Sequence, residues 1–259
     1  MPAATTDAKT TGAIYTTAPI GRTMIRTGFA MLAGTLAMSG YNIVDSYFMG
    51  RLGTIPTAAM TFTFPVVMLL GCVFHGLAVG VMTTSSQALG GNKRTRAVRL
   101  VSSGLLLLTF ISIALGVGGI LTSHRLFQLL GAEGETLNMA QQYIDIWYFG
   151  CVTSSIGMAG NDLLIGAGDS GRASAMMVFG LIVNTILDPI LIFGFGPIPK
   201  MGISGAAFAT VLAQLCGMLG ILWFLWKKHG LLEFSWIPFR ELRSLWSLII
   251  RYGVPSSLG

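Results

Sequence analysis

The sequence predicts an all-α protein that crosses a membrane several times, and three observations carry that prediction. Apolar runs recur along the chain, each long enough at about 20 residues to span a ~30 Å hydrocarbon layer. Charge is scarce: 10% of residues are Asp, Glu, Lys or Arg, where soluble domains carry about 25%. Mean hydropathy is +0.72. Finally, the basic residues fall on one side once the runs are read as spans, as the positive-inside rule requires. The 34 glycines agree, because small residues let membrane helices approach closely.

Six spans are expected, at residues 27–49, 61–84, 98–121, 144–165, 173–195 and 206–226. The separators GRLGT, GGNKRTR, GAEGE, GAGDSGR and GPIPKMG carry turn signals. With the N-terminus in the cytoplasm, the inner side receives Lys9, Arg22, Arg26, Lys93, Arg94, Arg96, Arg99, Arg172, Lys227, Lys228, Arg240, Arg243 and Arg251. The outer side receives Arg51, Arg125 and Lys200. The net charge of +6 thus reports orientation, and no basic domain stands outside the membrane to bind nucleic acid. The polar, Thr-rich start lacks the apolar core and cleavage site of a signal peptide, so the first span is expected to act as its own uncleaved signal.

The expected layout is a polar cytoplasmic tail (1–22), a six-helix lobe (23–226), a cytoplasmic linker (227–246) and the start of a seventh span (247–259). Residues 126–143 mix apolar and polar types and are expected on the outer surface. Residues 231–246 interleave Trp and Phe with Arg and Glu, the makeup of a helix lying in the inner interface, or of a plain connector. Cys72, Cys151 and Cys216 form no CxxC pair; they read as small buried residues and not as a metal site or disulfide framework. RTGFAMLAG (26–34) and RYGVPSSLG (251–259) share Arg, Gly and Gly at their first, third and ninth positions. Six spans separate them, which suggests two parallel halves, the second only beginning here.

Ionisable residues inside spans are costly and mark function by default. His75 sits mid-span in the second run and reads as a neutral, hydrogen-bonded residue or a proton carrier. Asp145 and Asp162 stand near the ends of the fourth, where the interface accounts for them. Asp188 lies in the outer half of the fifth, roughly 10 Å from its end at 1.5 Å per residue. Asp45 stands nearer the outside, where Arg51 is an alternative partner. Asn184 precedes Asp188 by four residues and shares its helical face. Pro189 has no N–H, so the carbonyl of Thr185 loses its helical partner. A carboxylate, an amide and a freed carbonyl together suit a hard cation or a proton.

Those residues bring a resemblance. IVDSYFMGRLGT (43–54), GLAVGVMTTSSQALGGNKRTRA (76–97), LLIGAGDSGRASAMM (163–177), NTILDPILIFGFG (184–196) and MGISGAAFATVLAQ (201–214) resemble, in order, the multidrug and toxic compound extrusion (MATE) family. The pattern is nearest the branch named after DNA-damage-inducible protein F. The resemblance implies the six-helix N-terminal lobe of a twelve-helix, two-lobe antiporter, cut off at the start of its seventh helix. It implies a multi-pass protein of the cell membrane, not an enzyme, that exchanges Na⁺ or H⁺ for small organic, often cationic, substrates, with no other cofactor. Its partners would be the bilayer, those substrates and the missing C-terminal lobe.

The resemblance further implies that Asp45, Asn184, Asp188 and Thr210 hold the coupling cation, and that Asn161 is linked to them. The family's early first-helix proline, tied to bending, is here Ala30, while Pro255 keeps it in the second copy. Gly28, Gly34 and Gly40 are left to loosen the first helix. Two other readings compete. A lipid-linked oligosaccharide flippase of the same superfamily would want mid-span cations, and none appears. GISG (202–205) fits the GxSG of rhomboid-like intramembrane proteases, but the only later histidine, His229, falls in the cytoplasmic loop. For that motif, close helix packing by small residues is favoured.

Overall fold

The computed structural model describes residues 20–233 and 238–257. The polar tail, apart from its last residues, therefore lies outside the described residues, as do 234–237 of the linker. Eight helices follow in order: α1 (Ile20–Leu52), α2 (Thr54–Gly90), α3 (Arg94–Leu129), α4 (Gly134–Phe149), α5 (Cys151–Gly166), α6 (Ser170–Phe193), α7 (Ile203–Lys227) and α8 (Phe239–Ser257). Among the described residues, α2, α3, α6 and α7 are long and apolar enough to cross a membrane alone. In hydrocarbon no water satisfies a bare peptide group, so helix is the form that such runs must take. The breaks after α1, α2, α3, α5 and α6 fall in predicted separators. The sharpest is Gly53 (φ 135°), one residue between α1 and α2, in a conformation that side chains rarely allow.

Three features differ from the linear reading. The fourth span is two 16-residue helices, α4 and α5, joined at Gly150. A Cβ there would lie 2.5 Å from Val211 of α7, so glycine permits the close approach at the joint. Residues 126–143 are largely helical, with one face in the core: α3 continues to Leu129, and Phe127, Leu137 and Ala140 are buried while Leu129, Glu133, Glu135 and Asn138 are exposed. Of the three cysteines, Cys151 is buried while Cys72 and Cys216 are exposed. In a membrane helix an apolar run has no water to avoid, so hydropathy does not reveal which face is inside. Beyond the linker, α8 runs unbroken through the expected division near 246.

The core forms two clusters. One gathers Leu77, Val81, Leu108, Leu164, Leu225 and Ile249. The other gathers Met49, Phe74, Phe127, Ile144, Trp147 and Ile192. Contacts closest to backbone fall at glycines. A Cβ on Gly205 of α7 would lie 2.4 Å from the Leu191 carbonyl oxygen of α6, so GISG does serve packing. One on Gly80 of α2 would lie 2.6 Å from the Ile249 carbonyl oxygen of α8, and Gly253 of α8 packs on Gly76 of α2. The repeat glycines are therefore not equivalent: Gly28 of α1 has nothing within 4 Å of such a Cβ.

This pattern gives a stability test. Gly205→Ala forces backbone apart and is expected to destabilise by about 1–3 kcal/mol. Gly118→Ala, where the added Cβ meets nothing, is expected to leave stability unchanged or slightly raised. Thermal unfolding of the purified protein in detergent reads the difference.

Candidate functional site

Helices α1 and α6 run in parallel, and small residues set their register. Gly34 faces Ser174 and Met177, Gly40 faces Leu181, and a Cβ on either would stand 2.8–3.0 Å from a side-chain atom of α6. These glycines lock α1 onto α6 and do not loosen it. The Ser174 hydroxyl donates to the Ala30 carbonyl oxygen, so the position that would hold the family's proline is a clasp between helices. Near the C-terminal ends of both helices the Phe48 and Phe193 rings meet edge to face at 6.2 Å. That register carries Asp45 to the level of Asn184 and Asp188.

All three side chains are buried, Asn184 and Asp188 completely. The Asn184 amide donates to Asp188 Oδ1 at 3.3 Å, and Asp45 interacts directly with both Asp188 and Asn184. Asp45 Oδ1, Asn184 Oδ1 and Asp188 Oδ2 are buried acceptors that no donor reaches among the described residues. Neither carboxylate makes an ion pair among the described residues. Arg51 is not Asp45's partner; its guanidinium lies 5.8 Å from the Tyr47 ring centre. Bare buried acceptors cost about 1–3 kcal/mol each, so this arrangement asks for a positive charge or protons.

Helix α7 runs antiparallel to α6, with Gly205 against Leu191 and Gly217 near Met176. Thr210 therefore stands level with Asn184. Its hydroxyl is buried and donates to the Ala206 carbonyl oxygen at 3.0 Å, leaving its lone pairs for a ligand. The Thr185 side chain is exposed. One expected member lies elsewhere. Asn161 belongs to another level. Helix α5 runs parallel to α7, with Gly150 against Val211, Ser154 bonded to Gln214 at 2.5 Å and Gly160 against Ile221. Asn161 thus lies roughly three turns, or ~18 Å, from Thr210, beside Asp162.

Sequence reasoning missed two tyrosines. Tyr41 of α1 and Tyr143 of α4 both feel the charges of Asp45 and Asp188, and the Tyr41 hydroxyl packs against Gly180. In a sequence this apolar, nothing distinguishes them from ordinary interface aromatics. At the other end of the molecule Asp169 Oδ2 collects Arg172 Nη1 at 2.5 Å, Lys228 Nζ at 2.9 Å and His229 Nε2 at 3.1 Å. Arg94 donates to the His229 carbonyl oxygen at 2.6 Å. His229 is thereby held a whole 25-residue helix away from Ser204, ~37 Å at 1.5 Å per residue, and the protease reading fails on distance.

The MatE family model matches residues 30–190. The chain belongs to the MatE family. MatE proteins are membrane transporters and not enzymes, and the all-helical fold with its membrane-long helices agrees. Among the relatives of this MatE chain is the FAD transporter of Shewanella oneidensis, 35% identical over 93% of this chain and 53% of the relative. Another is the probable multidrug resistance protein YoeA of Bacillus subtilis, 27% identical over 88% of this chain and 50% of the relative. A crystal structure of a MATE with a proline-to-alanine substitution superposes with a TM-score of 0.85 at 28% identity, covering 95% of this chain and 55% of that one. The chain spans about half the length of the curated relatives it matches, the share expected of an N-terminal lobe.

If two unpaired carboxylates strain this MatE lobe, removing one should relieve it. Asp188→Asn is expected to raise stability by about 1–2 kcal/mol in Na⁺-free alkaline buffer. The thermal unfolding midpoint of the purified protein, against wild type in the same buffer, checks the sign.

Proposed function

We propose that this chain is the ion-binding lobe of a secondary antiporter in the cell membrane, which couples inward movement of Na⁺ or H⁺ to export of small organic, often cationic, substrates. The observation that supports it is the pair Asp45 and Asp188, buried against each other with acceptors that no donor reaches. A cation or proton between them removes their repulsion, with Asn184 and Thr210 adding neutral oxygens. Binding then shifts the balance between two states of the transporter by its differential affinity for them. The tight seating of α1 on α6 makes the site sensitive to any movement between these helices. Substrate would pass between this lobe and a second one.

Asp188→Asn in the complete two-lobe transporter is expected to abolish ion-coupled efflux while membrane insertion persists. Reconstituted vesicles with an imposed Na⁺ or pH gradient and ethidium as substrate measure this; undiminished, ion-dependent transport by the variant would sink the reading. The same vesicles separate the two ions.

The proposed orientation puts the N-terminus in the cytoplasm. It is supported by the basic group of Arg94, Arg172, Lys228 and His229 around Asp169 at one end. In a cysteine-free background, a membrane-impermeant thiol reagent applied to intact cells is expected to label Lys200→Cys and to spare Lys93→Cys. The reverse pattern would invert the topology.

A second substrate reading rests on the relative named as an FAD transporter, 35% identical. An anionic dinucleotide would meet the same basic end first. Export of FAD with no export of ethidium would decide for it.

A further inference from the structure

We propose that Asp162, with Asn161 and His75, forms a second binding site in this lobe, one that takes the positively charged, N–H-bearing group of an organic substrate. The inference rests on the efflux reading above and adds a place where substrate, as distinct from the coupling ion, is held.

The residues come from two helices. His75 stands on α2 and Asp162 on α5, with His75 Nδ1 3.7 Å from Asp162 Oδ2. That gap is too long for a hydrogen bond. Asp162 Oδ2 and Asn161 Oδ1 are both buried acceptors that no donor reaches, and the Asn161 amide adjoins the Asp162 carboxylate. Neighbouring residues thus leave two acceptors bare, at about 1–3 kcal/mol each. No Lys or Arg pairs with Asp162 among the described residues. The site also lies roughly three turns, ~18 Å, from Thr210 along the bundle, so the ion at Asp45 and Asp188 does not serve it.

The group is open on one side. The His75 side chain is 56% exposed and that of Asp162 15%. Polar groups exposed at this depth face a water-filled passage in preference to lipid. Cys72 and Met82 lie on the same face of α2 as His75, three residues before it and seven after, giving the passage a soft, adaptable wall. A hard metal cation wants six or more oxygens, whereas here two bare oxygens stand beside one imidazole. An organic ammonium needs what is present: a carboxylate with no Lys or Arg partner among the described residues, a neutral acceptor and an apolar wall. His75 already leans toward that carboxylate, and an incoming cation would take the place the imidazole approaches.

Ethidium, which carries a fixed charge and aryl amines, is a suitable probe. Its binding to the complete two-lobe transporter, purified in detergent without Na⁺, can be followed by fluorescence anisotropy. Asp162→Asn is expected to weaken binding about tenfold or more, through loss of a charge-assisted contact, while Asp162→Glu keeps most of it. His75→Lys, at an exposed position that tolerates a long side chain, sets a tethered ammonium beside Asp162 and is expected to block ethidium to a similar degree. Wild-type ethidium affinity in Asp162→Asn, or in His75→Lys if the former does not fold, overturns the proposal. So does an Asp162→Asn variant that loses ²²Na⁺ binding and keeps ethidium. Failure of the coupling reading shows separately, as an Asp188→Asn variant that still transports against an ion gradient.

Discussion

Asp45 and Asp188 are held against each other by the seating of α1 on α6, and most of what distinguishes this lobe depends on that contact. Two carboxylates in an apolar interior would part if the helices could slide or rotate. They are pinned toward both ends: the Ser174 hydroxyl donates to the Ala30 carbonyl in their N-terminal halves, and Phe48 meets Phe193 near their C-terminal ends. Between these, Gly34 and Gly40 let the helices approach so closely that a Cβ would strike the neighbour. The Asn184 bond to Asp188 orients one carboxylate and leaves an oxygen bare on each partner. Low dielectric makes such half-satisfied groups costly, and the packing around them is what keeps them in place.

The remaining polar chemistry is layered along the same bundle. The basic residues around Asp169 tie the α5–α6 turn to the end of α7. Asp162 and His75 stand above them between α5 and α2, and the carboxylate pair lies further out. Two apolar clusters, one at each end, surround this sequence of levels. The parallel run of α5 beside α7 and the antiparallel run of α6 beside α7 are what space the levels. Glycine contacts between α2 and α8 fix the last helix to this frame.

Much of this was legible in the chain. Hydropathy located the apolar runs, and Gly-rich separators marked the breaks after α1, α2, α3, α5 and α6. Asn184 and Asp188 could be assigned one face because four residues make about one turn. Their partner Asp45 could be matched in depth. The errors share one cause. The joint at Gly150, the core-facing side of 126–143 and the exposed Cys72 and Cys216 all turn on which side of a helix meets protein. The family resemblance, not depth, tied Asn161 to the cation group; its level follows from how α5 is set beside α7.

The sequence by itself determined where the apolar runs lie, most of their turns and the residues too polar to be idle, because each follows from local composition and a fixed rise per residue. Only the tertiary structure decided which polar groups meet. Lipid gives an apolar side chain no preference for the inside of the bundle, so rotation about each helix axis and register between helices come from close packing at Gly34, Gly40, Gly80 and Gly205. Those contacts brought Asp45 to Asp188, added Tyr41 and Tyr143, and drew Asn161 away to Asp162 and His75.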